Sequence, residues 1–525
     1  MQQAETVVSA RCSIKGQIMM KLWQRIKNAG WKEISLTYLP TAGLVLDLII
    51  VAVFYALALA YLPTQNGDNI EHVHSSFMIA TGEVPYRDFF QHHNPLMWYL
   101  FAPLVKVFAY DSTVVEVVCL VSLLVFLKSL VYVYRISADF LSNKFWGLAA
   151  AAAVAVPEQK LFAIDFRPDN YMIFALMGGI YYFFLYLNGK KQGHLSVAFV
   201  WFFISFLFAQ KAVFPLFCLG LCILYFWYKK EIATKALLKA LILPLSGAAG
   251  FVYYLYHYDM LALYYACNYT FNLNLVEGFD FNRIAAFSPV MVVRMCIGFA
   301  GVIAAVAFGN KYWRVLAFLF VAEFLQRRFY FSPYIYYYWL LVYLGVLCGM
   351  PLLARLDAEN RVVRLLFLGG AYFFLLQSVH FHRLKYEERT TRPYLPDYIA
   401  RQINPCDYVF NGDGFMYNLF GKNPSYYWQL IGQLDVIGEK TGIRPQPDMN
   451  ELIVKVKPKF VYGRSYFNKF AKESGRLKIV HYIDPAIISR FYEPTGYGNV
   501  YRLKPEYDNR RCVKDMVSGK WQYQD

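Results

Sequence analysis

Between Gly67 and Leu100 the chain reads GDNIEHVHSSFMIATGEVPYRDFFQHHNPLMWYL, placing Asp68, Glu71, His72, His74, Arg87, Asp88, His92 and His93 in one short stretch. A carboxylate such as Asp68 can orient or deprotonate an acceptor hydroxyl or amine. Its bland duty would be to cap a helix starting near Ile70. Glu71 follows three residues later, so one helical turn would bring both carboxylates to one face. Asp68 and Glu71 are therefore the candidate catalytic pair. His72 and His74 carry less, and His74 reads as a packing residue.

Asp88, His92 and His93 lie between Pro85-Tyr86-Arg87 and Asn94-Pro95. Residues preceding proline disfavour helix, so this stretch reads as a folded loop whose polar groups bind substrate. Two adjacent histidines near two carboxylates raise a divalent metal as an alternative. Neighbouring histidines do not share a face of a regular helix, however, and no third ligand has diagnostic spacing. No cofactor is expected on that pattern.

Further charges interrupt apolar runs. Lys211 separates WFFISFLFAQ from AVFPLFCLGL, where an ammonium is costly unless paired or at an aqueous boundary. It either snorkels to the interface or binds a phosphate, with Arg327 or Arg328 as a bidentate partner. Arg167 and Asp169 form a span-end ion pair or line the same pocket.

The elements that hold these groups follow from composition. The 525 residues are 58% hydrophobic and 17% charged, with a mean hydropathy of +0.32. An ordinary soluble enzyme carries nearer ~25% charge. Apolar runs of roughly 17–22 residues, bounded by Lys/Arg clusters, fit helices crossing a bilayer core of about 30 Å. The net charge of +16 then reflects cationic cytoplasmic loops rather than a nucleic-acid partner. Six of the nine cysteines read as buried small hydrophobes, whereas Cys406 and Cys512 could pair outside the cytoplasm. Residues 1–42 hold six early cationic residues and no early apolar core, so they read as a cytoplasmic segment before an uncleaved anchor.

Span one runs from about Gly43 to Leu62, and the first outer loop covers about 63–112. Pro95 to Phe108 is short and broken by Pro103 and Lys106, and the charge rule favours laying it on the outer surface. The other spans read approximately 113–134, 145–157, 170–187, 197–209, 212–228, 236–256, 286–308, 313–326, 334–354 and 363–380, about eleven crossings in all. Residues 43–384 form the membrane domain. On this threading Glu158–Asp169, Gln210-Lys211 and Gln326–Pro333 share the outer face with the first loop. Residues 385–525 read as an extracytoplasmic α/β domain, with strand-like runs at 407–410 and 459–462. Asp448 would cap a helix over 449–456, and 464–474 is a further helical candidate.

A carboxylate just after span one, a GxxPYRDF-like segment and an HxxPL run resemble the integral-membrane glycosyltransferases of the GT-C type. The nearest group is the bacterial protein-O-mannosyltransferase/aminoarabinose-transferase-like superfamily. The resemblance rests on Asp68–Glu71, Gly82–Phe89 and His92–Leu96, with support from Arg167-Pro168-Asp169, Lys211 and Arg327–Pro333. It covers about 40–380. It implies an inverting transfer from a polyprenyl-phosphate-linked sugar donor to a lipid, glycan or protein acceptor, on the outer face of a bacterial inner membrane. Lys211 and Arg327/Arg328 would stabilise the phosphate leaving group, and Asp68 would activate the acceptor. The family often has consecutive Asp-Glu in the first loop, where this chain has Asp68-Asn69. A catalytically silent scaffold that keeps the fold is the alternative that Asn69 suggests. A transporter or lipid flippase would instead show repeat symmetry and spans broken near the midplane, and the polarity here gathers at outer ends.

Overall fold

The computed structural model describes residues 38–59, 67–157, 161–275, 288–329, 335–389, 395–411, 418–426, 448–462, 483–514 and 521–524. Residues 1–37, the candidate helix 464–474, the turns at 412–414 and 445–447, and the Arg328 side chain lie outside them.

Helix α1 (Leu39–Leu59) has a lipid-type sequence, and Leu44, Asp47, Val51, Tyr55 and Ala58 recur every three or four residues on its buried side. After it come α2 (Gly67–Ala80), α3 (Leu96–Val107), α4 (Val114–Ile136), α5 (Lys144–Ala155), α6 (Pro168–Gly189), α7 (Gln192–Phe208), α8 (Val213–Tyr228) and α9 (Thr234–His257). The membrane part closes with α10 (Pro289–Phe308), α11 (Lys311–Phe329), α12 (Trp339–Glu359) and α13 (Val362–Arg389). A helix therefore stands at each of the eleven places read from the sequence. Eight among the described residues are long and apolar enough to cross a membrane, and the count of about eleven is reduced to those eight on that criterion. The twelve-residue α5 rises only about 18 Å at ~1.5 Å per residue, short of a ~30 Å core. The same length limits α3, in keeping with a surface-lying Pro95–Phe108.

Proline opens α6 and α10 at their first positions, where its missing N–H costs nothing. Ser288 adds a cap to α10 by accepting from Met291 N at 3.2 Å. Within the membrane part α10 and α12 come into backbone contact. A Cβ at Gly301 would stand 2.2 Å from Cys348 O, and one at Gly298 2.8 Å from Gly345 Cα. Without a hydrophobic drive between helices in lipid, small residues permit the backbone approach that dispersion then rewards.

Beyond the membrane part, β1 (Val409–Asn411) pairs parallel with β2 (Phe460–Tyr462). Strand β4 (Val500–Leu503) runs antiparallel to both β2 and β3 (Tyr492–Pro494), for a sheet order β1-β2-β4-β3. The helices Met449–Val456 and Pro485–Phe491 accompany it, and Asp448 caps the former by accepting from Asn450 N and Glu451 N. A separate hairpin, β5 (Arg511–Lys514) and β6 (Trp521–Gln524), is tied back by the Cys406–Cys512 disulfide.

Replacing Gly301 with Ala is expected to destabilise the protein by about 1–3 kcal/mol, because backbone atoms of α12 cannot yield to the added methyl. Gly250→Ala, at a site with nothing within 4 Å, is the control. Melting midpoints of the two variants in detergent check this: Gly301→Ala should fall and Gly250→Ala should not.

Candidate functional site

Asp68 lies in the first turn of α2. Its carboxylate pairs with the guanidinium of Arg167, whose side chain is only 5% exposed. The register between the two segments is held by Asn69, fully buried, whose Oδ1 accepts from Phe166 N at 2.8 Å. A carboxylate at position 69 would bury a second charge there. The amide supplies the acceptor without it.

Arg167 precedes α6, whose first turn carries Asp169. Asp169 Oδ1 accepts from Lys211 Nζ at 2.5 Å, and Arg167 Nε lies 3.7 Å from Asp169 Oδ2. Lys211 sits on a short 3-10 turn, Gln210–Ala212, between α7 and α8. Its ammonium stands 3.9 Å from the Tyr337 ring centroid. Asp68, Arg167, Asp169 and Lys211 thus form one alternating chain of charge. Arg327, within electrostatic reach of Lys211, pairs with Glu323 one turn earlier on α11 and lies 5.9 Å from the Tyr338 ring. Sequence reading named Arg327 but missed Glu323, which its i, i+4 spacing could have exposed.

The loop bearing His92 and His93 is pinned from several sides. Tyr86, at φ 68°, donates its hydroxyl to His93 O at 2.5 Å. Gln210 Nε2 and Asn272 Nδ2 donate to His92 O at 2.8 and 2.9 Å. Tyr264 donates to Asn94 Oδ1 at 2.8 Å. The His92 and His93 rings lie 4.2 Å apart, and His93 is 5.6 Å from His72. Burial pushes His72 and His92 down to about 3, with Lys211 adding to the effect on both.

Glu71 is buried and departs from Asp68. It accepts from Gln91 Nε2 at 3.0 Å, and the same amide nitrogen donates to Ser75 Oγ at 2.8 Å. Asp88 braces its own turn, accepting from Val84 N at 2.8 Å and from Arg87 Nε at 2.8 Å. Its partner Arg87 lies over Tyr258. The structure therefore joins Asp68, Arg167, Asp169 and Lys211 directly and sets His92 and His93 within their electrostatic field. Glu71 and Asp88 engage partners of their own.

Glu71, His72 and His93 bring ligand-capable atoms within 4.8 Å of one another, a cluster that their separation in sequence concealed. The set does not suit a divalent metal at His72. Trp98 Nε1 donates to His72 Nδ1 at 3.1 Å, so the neutral ring carries its proton on Nε2. Neither nitrogen then offers a free lone pair.

His74, read from sequence as a packing residue, anchors the C-terminal region. Its Nδ1 lies 3.1 Å from Leu419 O and its Nε2 2.9 Å from Asn423 Oδ1. Phe90 N donates to Tyr426 O at 2.9 Å, and Tyr426 donates to Tyr86 O at 2.7 Å. Segment 418–426 thereby covers the loop that carries the histidines.

No family model matches the sequence, and no curated relative does. Among solved structures, ArnT from Cupriavidus metallidurans bound to undecaprenyl phosphate is similar at a TM-score of 0.54 and 10% identity, covering 78% of this chain and 90% of that one. The archaeal oligosaccharyltransferase AglB from Archaeoglobus fulgidus, in complex with an inhibitory peptide and a dolichol-phosphate, aligns over 94% of this chain and 75% of its own at a TM-score of 0.46 and 11% identity. The chain is an integral membrane protein with a GT-C type fold.

His74 sits on α2, outside the eight candidate spans, and burial pushes it from 6.5 down to about 4. Between those values the unfolded chain binds the proton and the folded one does not, so stability is full above about pH 6.5 and falls towards about pH 4. Melting midpoints recorded across this range should drop for wild type, and His74→Gln should flatten the slope.

Proposed function

We propose that this protein transfers a sugar from a polyprenyl-phosphate donor to a lipid, glycan or protein acceptor on the outer face of a bacterial inner membrane. The observation that carries the reading is the Asp68–Arg167–Asp169–Lys211 chain. It is a carboxylate next to buried cations, at the helix ends of a GT-C type fold. The disulfide between Cys406 and Cys512 supports an oxidising compartment for the C-terminal domain.

In this reaction the acceptor oxygen or nitrogen attacks the anomeric carbon from the face opposite the phosphate, inverting it. The carbon–oxygen bond to phosphate breaks, its electron pair leaves with the polyprenyl phosphate, and the acceptor proton passes to Asp68. Lys211 and Arg167 stabilise the charge that develops on the leaving oxygen. Arg167 has several N–H groups in a planar fork, enough to hold both Asp68 and a phosphate oxygen. Arg327 extends the cationic side, with Arg328 beside it in sequence. His92 and His93 border the transferred sugar. In the free protein each buried cation already has a carboxylate partner, so donor binding exchanges pairs instead of filling an uncompensated charge.

Purified protein supplied with radiolabelled polyprenyl-phosphate sugars and a mixed acceptor preparation should transfer label. Asp68→Asn should lower the rate by about 10²–10⁴-fold, the usual worth of a general base, with the protein still folded but its melting midpoint lowered by the loss of the Arg167 partner. No transfer by wild type with any donor, where a relative is active, removes the enzyme reading. Full activity in Asp68→Asn removes Asp68 from the mechanism.

A further inference from the structure

His72 stands four residues after Asp68, one turn further along the same side of α2, and it is 1% exposed. The only hydrogen bond to its ring among the described residues comes from Trp98 Nε1–H to Nδ1 at 3.1 Å. Trp98 is itself fully buried and its indole is stacked with the imidazole at a 6.1 Å centroid distance. Indole nitrogen is a donor only, so Nδ1 must be the acceptor. The one proton of the neutral ring is thereby confined to Nε2. No acceptor for that N–H is found among the described residues, so it is free to meet a ligand.

The surroundings identify that ligand. The rings of His93 and Phe166 flank His72 at 5.6 and 6.3 Å, and Phe166 directly precedes Arg167. Lys211 and Asp169 are charged groups that act on His72 across the site. His92 and His93 each also bury a ring nitrogen without a partner. The His72 N–H, on the side of the site that holds a lysine and an arginine, suits an acceptor-rich anion that exchanges with their carboxylate partners. A tetrahedral phosphate has the required oxygens, and a cationic or metal ligand is opposed by the Nε2 proton.

We infer that His72 is a further catalytic residue, whose Nε2–H donates to an oxygen of the donor phosphate beside Lys211 and Arg167, and that Trp98 is the positioning residue that locks this tautomer. The inference rests on the transfer reading above for its kinetic consequence, while phosphate recognition can be measured without turnover. A neutral donor of this kind suits a leaving group that gains charge as the bond to the anomeric carbon lengthens. It strengthens in the transition state and adds no further charge to a site whose cations are already paired.

The test uses full-length protein in detergent, with farnesyl phosphate, farnesol and inorganic phosphate as probes. Expected for His72→Leu is a loss of about 10²-fold in kcat, with the acceptor KM unchanged. Farnesyl phosphate affinity should fall while farnesol affinity holds. His72→Gln, whose amide can still donate, should recover most of both. Trp98→Phe keeps the packing and frees the tautomer, and should lose about tenfold in kcat and in farnesyl phosphate affinity together. Inorganic phosphate binding that falls equally would assign the site to phosphate itself, and an effect confined to farnesyl phosphate to the lipid-linked form. Both arms support the inference.

Trp98→Phe and His72→Leu with unchanged phosphate affinity would overturn it. So would a wild type stripped by chelator and restored by a divalent cation through His72. If wild type transfers nothing but His72→Leu still weakens farnesyl phosphate binding, the phosphate role stands and the transfer reading fails. Matched melting midpoints for His72→Gln and wild type separate loss of function from loss of fold.

Discussion

Charge taken out of water must be paired, and that constraint organises the helix ends that meet at the site. Arg167, Asp169 and Lys211 are buried or nearly so, and Asp68 completes the chain from a different helix. An isolated ion in such surroundings would cost several kcal/mol. Alternation of sign along Asp68–Arg167–Asp169–Lys211 removes that cost only if α2, the N-terminal end of α6 and the turn between α7 and α8 meet within hydrogen-bonding distance. The site is thus also a fastening, since Asp68 and Arg167 are 99 residues apart in sequence. The side chains proposed for the chemistry also carry this structural duty.

Asn69 shows how the chain manages a departure from the pattern it resembles. A second acid next to Asp68 would compete for Arg167 or stand unpaired. The amide instead takes the Phe166 N–H, fixing the backbone that presents Arg167. An asparagine here gives position 69 a structural duty that a charged carboxylate would perform less well.

The C-terminal region does not merely trail the membrane part. Tyr426, His74, Phe90 and Tyr86 link segment 418–426 to the loop holding His92 and His93. The buried cluster around Tyr86 and Phe90 continues into Phe410, Met449, Ile453 and Val461 of the α/β domain. Because these contacts engage the loop's backbone and its Tyr86 and Phe90 side chains, the domain holds the loop's shape without hydrogen-bonding the His92 or His93 rings among the described residues.

Hydropathy was enough to place a helix at each apolar run, because lipid imposes length and apolarity on each span separately, but eight of those eleven helices are long and apolar enough to cross. The Asp448 cap, β1 and β2 were legible for a similar reason: their signals are local. The Cys406–Cys512 pairing, and Asp68, Arg167, Asp169 and Lys211 as candidates for one site, were also visible as residue types. Which carboxylate meets which cation was not, nor was the turning of Glu71 towards Gln91 or the use of Asp88 within its own turn. The Trp98–His72 bond and the Glu323–Arg327 pair escaped for the same cause. Partner choice among buried polar groups is decided by helix packing over long sequence distances, and only the tertiary structure carries that information.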